Sequence, residues 1–365
     1  MRDVFKTFHS GRAIFFLMVF ICSILVAAVL KIASPVILPF TLALLLAFVL
    51  YPLVKLSDKF HFPRFISIFL AVALIVAGLY GLGIAFFTFG RAIISLYPKY
   101  EHRLIEIYVW AARFFELSYD EDLSFFENIW AQLGIRTWIR RFTFSFSSIF
   151  IQFLRNAMMV VLFLAFLLVE ASQIKEKIEA AFENRSMRIN LMGHHLMYQI
   201  SRYLTAKFLI SLVTGLVVAV CLRLIGLEFA FFWGILQFVL NFIPTLGSIA
   251  GGLIVSLFAL IQFWPNPVPV ILVVVMLLGV NMIIGNVLDP KIIGDHVGIS
   301  PLVVLVSLGV WGWIWGFAGM IVAVPMMVII KIICENVPIL EPVSILIGSR
   351  KAVHAKKTED ERPET

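Results

Sequence analysis

Apolar runs long enough to cross a bilayer recur from one end of this 365-residue chain to the other. They occupy approximately residues 13–30, 36–54, 65–90, 146–169, 207–226, 229–263, 268–288 and 301–333. A hydrocarbon core of roughly 30 Å needs about 20 helical residues at 1.5 Å each. The composition agrees: 61% of residues are hydrophobic and 14% charged, too few charges for a soluble surface. The pattern predicts an all-α polytopic membrane protein with about eight apolar helical blocks, two of them broken, plus an amphipathic extramembrane helical segment. Arg2, Lys6 and Arg12 before the first block imitate a signal peptide, but that block is longer than a signal core and further spans follow. It is therefore read as a retained first helix.

The formal net charge of +7 comes mainly from loops between blocks, which points to membrane topology and away from nucleic acid. Cys22, Cys221 and Cys334 each lie in an apolar run without a CxxC partner, so neither a disulfide framework nor a metal site is expected. No P-loop and no Gly-x-Ser-x-Gly occurs, so no enzyme activity, ATP drive or cofactor is expected.

Charge bias orders the chain across the membrane. The basic N-terminus, the Lys55, Lys59 and Arg64 loop, the basic stretch 171–206 and the C-terminal tail fall inside. Residues 91–145, with seven basic and seven acidic side chains, fall outside. Tyr97, Tyr100, Leu104, Ile107, Ala111 and Phe114 recur there at helical spacing. Five regions follow: helices one to three over 1–90; the extracytoplasmic segment 91–145; 146–206 with helix four and a cytoplasmic amphipathic helix; a transport core over 207–333; and a cytoplasmic tail over 334–365, its end expected to be disordered.

Blocks 229–263 and 301–333 are too long for one straight crossing. The first is interrupted at Asn241-Phe242-Ile243-Pro244-Thr245-Leu246-Gly247, the second at Trp311-Gly312-Trp313-Ile314-Trp315-Gly316. With both termini inside, parity requires two hairpins or two crossings, and the central breaks favour re-entrant hairpins. Broken helices bring backbone polar groups and side chains to a solute at membrane depth, which points to a transporter.

Asn241-Phe-Ile-Pro244-Thr-Leu-Gly247 is similar to the N-F-I-P-x-x-G signature of the AI-2E (autoinducer-2 exporter) family. Asn286 through Pro290 to Gly294, followed by Pro301-Leu-Val-Val, resembles its next conserved segment. Gly316-Phe-Ala-Gly319-Met-Ile-Val-Ala323-Val-Pro325 resembles its close, and Ser201-Arg202-Tyr203-Leu204 also fits. Glu170-Ala171-Ser172 departs where members more often carry Asp-Gly, as do Asp289 and Lys291 around Pro290. The resemblance implies a bacterial inner-membrane permease, homo-oligomeric with pentamers described, that exports autoinducer-2 or exchanges sodium for protons, with an elevator-like motion.

The candidate solute-binding residues are Asn241, Pro244, Thr245, Gly247, Asn281 and Asn286. Asp289, Lys291, Asp295, Gly312 and Gly316 are candidates for ion coupling or gating. Each has a plainer reading. Pro244 and Gly247 would serve as a kink, Asp289 and Lys291 as a solvated loop pair, and the glycines as packing faces. Gln152, Arg155 and Asn156 share one helix face, where Arg155 snorkels to the interface. Trp311, Trp313 and Trp315 read as an interface belt, and His194 and His195 as surface residues. The expected function is a secondary transporter in the lipid bilayer that moves a small-molecule solute. Its rivals are a cation/proton antiporter and a non-transporting scaffold using 91–145.

Overall fold

A computed structural model describes residues 2–59, 63–114, 135–171, 173, 177, 186–293, 298–337 and 340–348. Asp295, most of 115–145 and the tail beyond Gly348 lie outside the described residues or have no described side chains. All named elements among the described residues are helical. They are α1 (Arg2–Ile32), α2 (Ser34–Lys59), α3 (Arg64–Phe114), α4 (Ile135–Ala171), α5 (Ser186–Ile225), α6 (Ala230–Leu240), α7 (Leu246–Phe263) and α8 (Pro267–Val280). A π-helical segment (Asn281–Leu288) follows, then α9 (Asp289–Ile293), α10 (Pro301–Asn336) and α11 (Glu341–Ile347). Seven of the described helices contain a stretch long and apolar enough to cross a membrane.

Helix α3 runs for 51 residues without a break at residue 90. The amphipathic pattern from Tyr97 onward is thus an arm continuous with the apolar part of the same helix. The arm lies against α7 and the residue after it: Tyr100 sits 5.4 Å from Phe258 of α7, and Trp110 packs edge-on to Trp264 at 5.3 Å.

Helices α2, α3 and α4 share a core of Ala43, Leu50, Ala71, Val160, Leu164 and Leu168. Helix α2 keeps Pro39 and Pro52 in its interior. A proline has no N–H, so the carbonyl four residues earlier loses its helical partner and must find another donor. For Pro52 that carbonyl is Phe48, and the buried Ser201 hydroxyl of α5 donates to it. Thr205, one turn on, donates to Val49 at 3.2 Å. The helix break in α2 thereby fastens α2 to α5.

Block 229–263 is a helical hairpin. The Gln262 side chain donates to the Gly226 carbonyl at 2.9 Å and accepts from the Glu228 N–H at 2.8 Å, so the end of α7 returns to the start of the block. Halfway along, Gly251 faces Gln237, and Gly247 lies against the Leu240 carbonyl. Residues 241–245 form the tip.

Block 301–333 folds back as well. Gly316, at φ 62° and ψ −143°, interrupts α10 in a conformation that favours glycine. Gly319 lies against the Trp311 carbonyl and Gly312 opposite Met320. The Ser300 N–H donates to the Ile347 carbonyl at 2.9 Å, tying the start of the block to the segment after its end.

The two hairpins are inverted. Hairpin one is based at the Gly226 end of α5; α8, the π segment and α9 then lead away from that base towards hairpin two. Pro267–Leu288 is 22 residues long, roughly 30 Å of helix. Leu240 and Ile243 at the tip of hairpin one pack with Leu308 and Ala323 in the limbs of hairpin two. The tip of hairpin two, with Ile314 and Trp315, packs with Leu45 of α2 and with Ile200, Tyr203 and Leu204 of α5.

Candidate transport site

Helix α5 carries, besides Ser201, the buried polar side chains Tyr203, Lys207, Ser211 and Thr214. Steps of four, four and three residues put them on one face. Buried polar groups in an apolar bundle need partners, and for Ser211 and Lys207 the partners are the broken elements. Asn241, the first residue past α6, donates its side-chain N–H to the Ser211 hydroxyl at 3.1 Å. The Lys207 ammonium meets Asp289 Oδ2 at 2.9 Å. Thr214 donates back to the Ile210 carbonyl at 2.8 Å.

This contact is close because α5 and α6 touch backbone to backbone. A methyl group on Gly215 would stand 2.7 Å from the Gly234 carbonyl oxygen, and one on Gly234 would stand 2.6 Å from Ala219 Cβ. Small residues allow such an approach between apolar helices. One turn beyond Gly234, the buried Gln237 has a side-chain oxygen with no donor.

The tip of hairpin one is strained at one residue. Thr245 has φ 60° and ψ −57°. A β-branched side chain at positive φ is an outlier, at a cost of order 1–3 kcal/mol, and such residues gather at functional sites. Pro244 is half-buried, Thr245 is exposed and Gly247 is buried.

The remaining sequence candidates do not all converge there. Asn281 and Asn286 lie exposed on the π segment. Asp289 does not pair with Lys291, which is exposed; its partner is Lys207, a residue the sequence reading passed over. Lys207 keeps 8% of its side-chain exposure and Asp289 25%, so this is a largely desolvated pair and not a loop salt bridge. Gly312 packs opposite Met320 in hairpin two, and Gly316 stands exposed at its tip. Asp295 lies outside the described residues.

A second charged cluster closes the base of hairpin one. Glu228 accepts from Lys99 at 2.6 Å and from the Tyr100 hydroxyl, both on the α3 arm. Burial alone would raise the Glu228 pKa, but donation from Lys99 and Tyr100 outweighs it and holds the carboxyl below its ordinary value. Burial, followed by the hydrogen bond to Glu228, pushes the Tyr100 hydroxyl above its ordinary value.

Residues 14–339 match the family model described as AI-2E family transporter. The chain belongs to the AI-2E transporter family. A Borreliella burgdorferi protein named "Putative transport protein" is 32% identical, over 90% of each chain. The AI-2 transport protein TqsA of Escherichia coli is 28% identical, over 87% of this chain and 91% of its own. A sodium-lithium/proton antiporter of Halobacillus andaensis is 27% identical over about half of each chain, 49% and 50%. With its apolar helices, this AI-2E family member is a multi-pass membrane transporter.

Proposed function

We propose that this protein is a secondary transporter of the bacterial cytoplasmic membrane that exports a small polar metabolite of the autoinducer-2 kind by alternating access. The supporting observation is the Asn241–Ser211 contact, which sets an amide at the broken tip of hairpin one against the buried polar face of α5. A hydroxylated solute is recognised by the same groups, with Pro244, Thr245 and Gly247 shaping the tip. Asn281 and Asn286 join the path in a conformation, or an assembly of copies, that covers them. Asp289, Lys291 and Asp295 couple ions in this reading, and hairpin two gates through Gly312 and Gly316. The exposed apolar side chains meet lipid and neighbouring copies in a homo-oligomer.

Autoinducer-2 released by cells carrying the wild-type protein or Asn241→Ala tests the site. The variant is expected to lower release at an unchanged membrane level; unchanged release would sink the assignment. In this reading both termini are cytoplasmic, so cysteine at Asn266 should react with an impermeant thiol reagent added outside cells and cysteine at Lys291 should not. Labelling of position 291 from outside would reverse the orientation. Cation/proton antiport is the second reading, favoured by the Asp289 carboxylate held inside the bundle. Sodium-driven proton flux in proteoliposomes, lost in Asp289→Asn, would support it, and flux unchanged in that variant would count against it.

A further inference from the structure

We infer that Asp289 is a proton site that locks the end of the π segment onto α5, with Lys207 as the cation that takes the proton's place. The inference rests on the transporter reading but not on which solute is carried.

Three independent features converge on Asp289. One carboxylate oxygen, Oδ2, holds the Lys207 ammonium at 2.9 Å. The other, Oδ1, is buried and has no hydrogen-bond partner. An unpartnered carboxylate oxygen shielded from water is costly, and it is the atom on which a proton can be added without first breaking a bond.

Asp289 also directly follows eight residues of π-helix. A helix that makes i→i+5 bonds over such a length is unusual, and π turns mark functional positions. A return of Asn281–Leu288 to ordinary α-helix changes how far and in which direction Asp289 is carried relative to α8. The ion pair therefore holds together two elements that have an alternative arrangement, as a coupling device requires.

The surroundings make the lock a binary one. Helix α9 packs on α5 and on the π segment. Lys207 and the buried Tyr203 are the ionisable groups that α5 brings to Asp289, and the π segment has none. On α9 itself, Lys291 is exposed. A proton on Asp289 leaves the Lys207 ammonium buried and unpaired, a strongly unfavourable state for a buried pair that loses one partner. The ammonium must then leave the carboxyl, and α9 with the π segment is released from α5. No covalent bond is made; one proton enters on Asp289 and leaves when Lys207 returns.

Leu209 on α5 and Ile292 on α9 are exposed and line one shallow apolar groove beside the lock, so labels there report on it. Pyrene is attached to cysteines at these two positions, with Cys22, Cys221 and Cys334 replaced by serine, in liposomes of phosphatidylethanolamine and phosphatidylglycerol. Excimer emission is expected to fall as pH is lowered, and to stay low at every pH in Asp289→Asn. Emission independent of pH in the unmutated lock would overturn the inference, and this reading holds even if the variant does not insert.

The same liposomes loaded with autoinducer-2 separate the two hypotheses. A pH-sensitive excimer without autoinducer-2 movement keeps the lock and removes the proposed solute. Autoinducer-2 movement with no response to an imposed pH gradient, beside a pH-independent excimer, keeps the solute and removes the lock.

Discussion

The folding-back of hairpin one can be tested at a single atom. In Gly247→Ala the new Cβ would stand 2.8 Å from the Leu240 carbonyl carbon, closer still to its oxygen, and 3.2 Å from Ile243 Cβ. A flexible side chain could turn away from such a clash. This carbonyl cannot, because it belongs to the turn itself and accepts the Ile243 N–H at 2.9 Å. The cost therefore falls at the upper end of the roughly 1–3 kcal/mol typical of overpacking. Gly252 supplies the control in the same helix, since a methyl there meets nothing within 4 Å. Gly252→Ala should stabilise by about 0.5–1 kcal/mol, because alanine loses less backbone freedom in a helix. The two variants should thus differ by about 2–4 kcal/mol. Thermal unfolding in one detergent at one scan rate, followed by tryptophan fluorescence, measures the difference. If Gly247→Ala melts at or above Gly252→Ala, the two limbs are not closed on each other as described.

Ser201→Ala removes the donor to the Phe48 carbonyl that Pro52 leaves without its helical partner, and should destabilise by about 1–3 kcal/mol. Adding Pro52→Ala restores an N–H to that carbonyl, so a double-mutant cycle in thermal unfolding should show most of the Ser201 loss disappearing; simple additivity would contradict the account. The clamp at Glu228 predicts a pH dependence on the opposite face of the bundle. Its carboxyl is held below the ordinary value, so the clamp's stability is fully present above that value and drains away as pH falls through the depressed one. Tyr100 is shifted the other way, so its share is complete below its ordinary value of 10.0 and is lost at higher pH. Melting temperature across pH should show both flanks, and Glu228→Gln should remove the acid one; an acid flank unchanged in Glu228→Gln would place it on other carboxyls.

What could be read from the sequence was what depends on neighbours along the chain. Pro244 and Gly316 break helices by their own backbone chemistry, and a block too long for one crossing has to tilt or turn back. Hence two inverted hairpins were the favoured reading before any contact was known, with two crossings as the other solution of the parity. What pairs across helices was not. Asp289 was read against Lys291, two residues away, whereas its partner Lys207 lies 82 residues earlier on another helix. A signal for that partner was nevertheless present: Tyr203, Lys207, Ser211 and Thr214 recur at helical spacing within an apolar run, where a charge is too costly to leave unpaired. The exposure of Asn281 and Asn286 was hidden for a different reason. Which face of a helix a residue takes follows from the turn, and a segment wound as π-helix does not keep the 3.6-residue period from which a lining role would be inferred. The same winding that hides the face of these two asparagines sets the position of Asp289. The part of the site least legible in sequence is therefore the part that a change of helix type would move first.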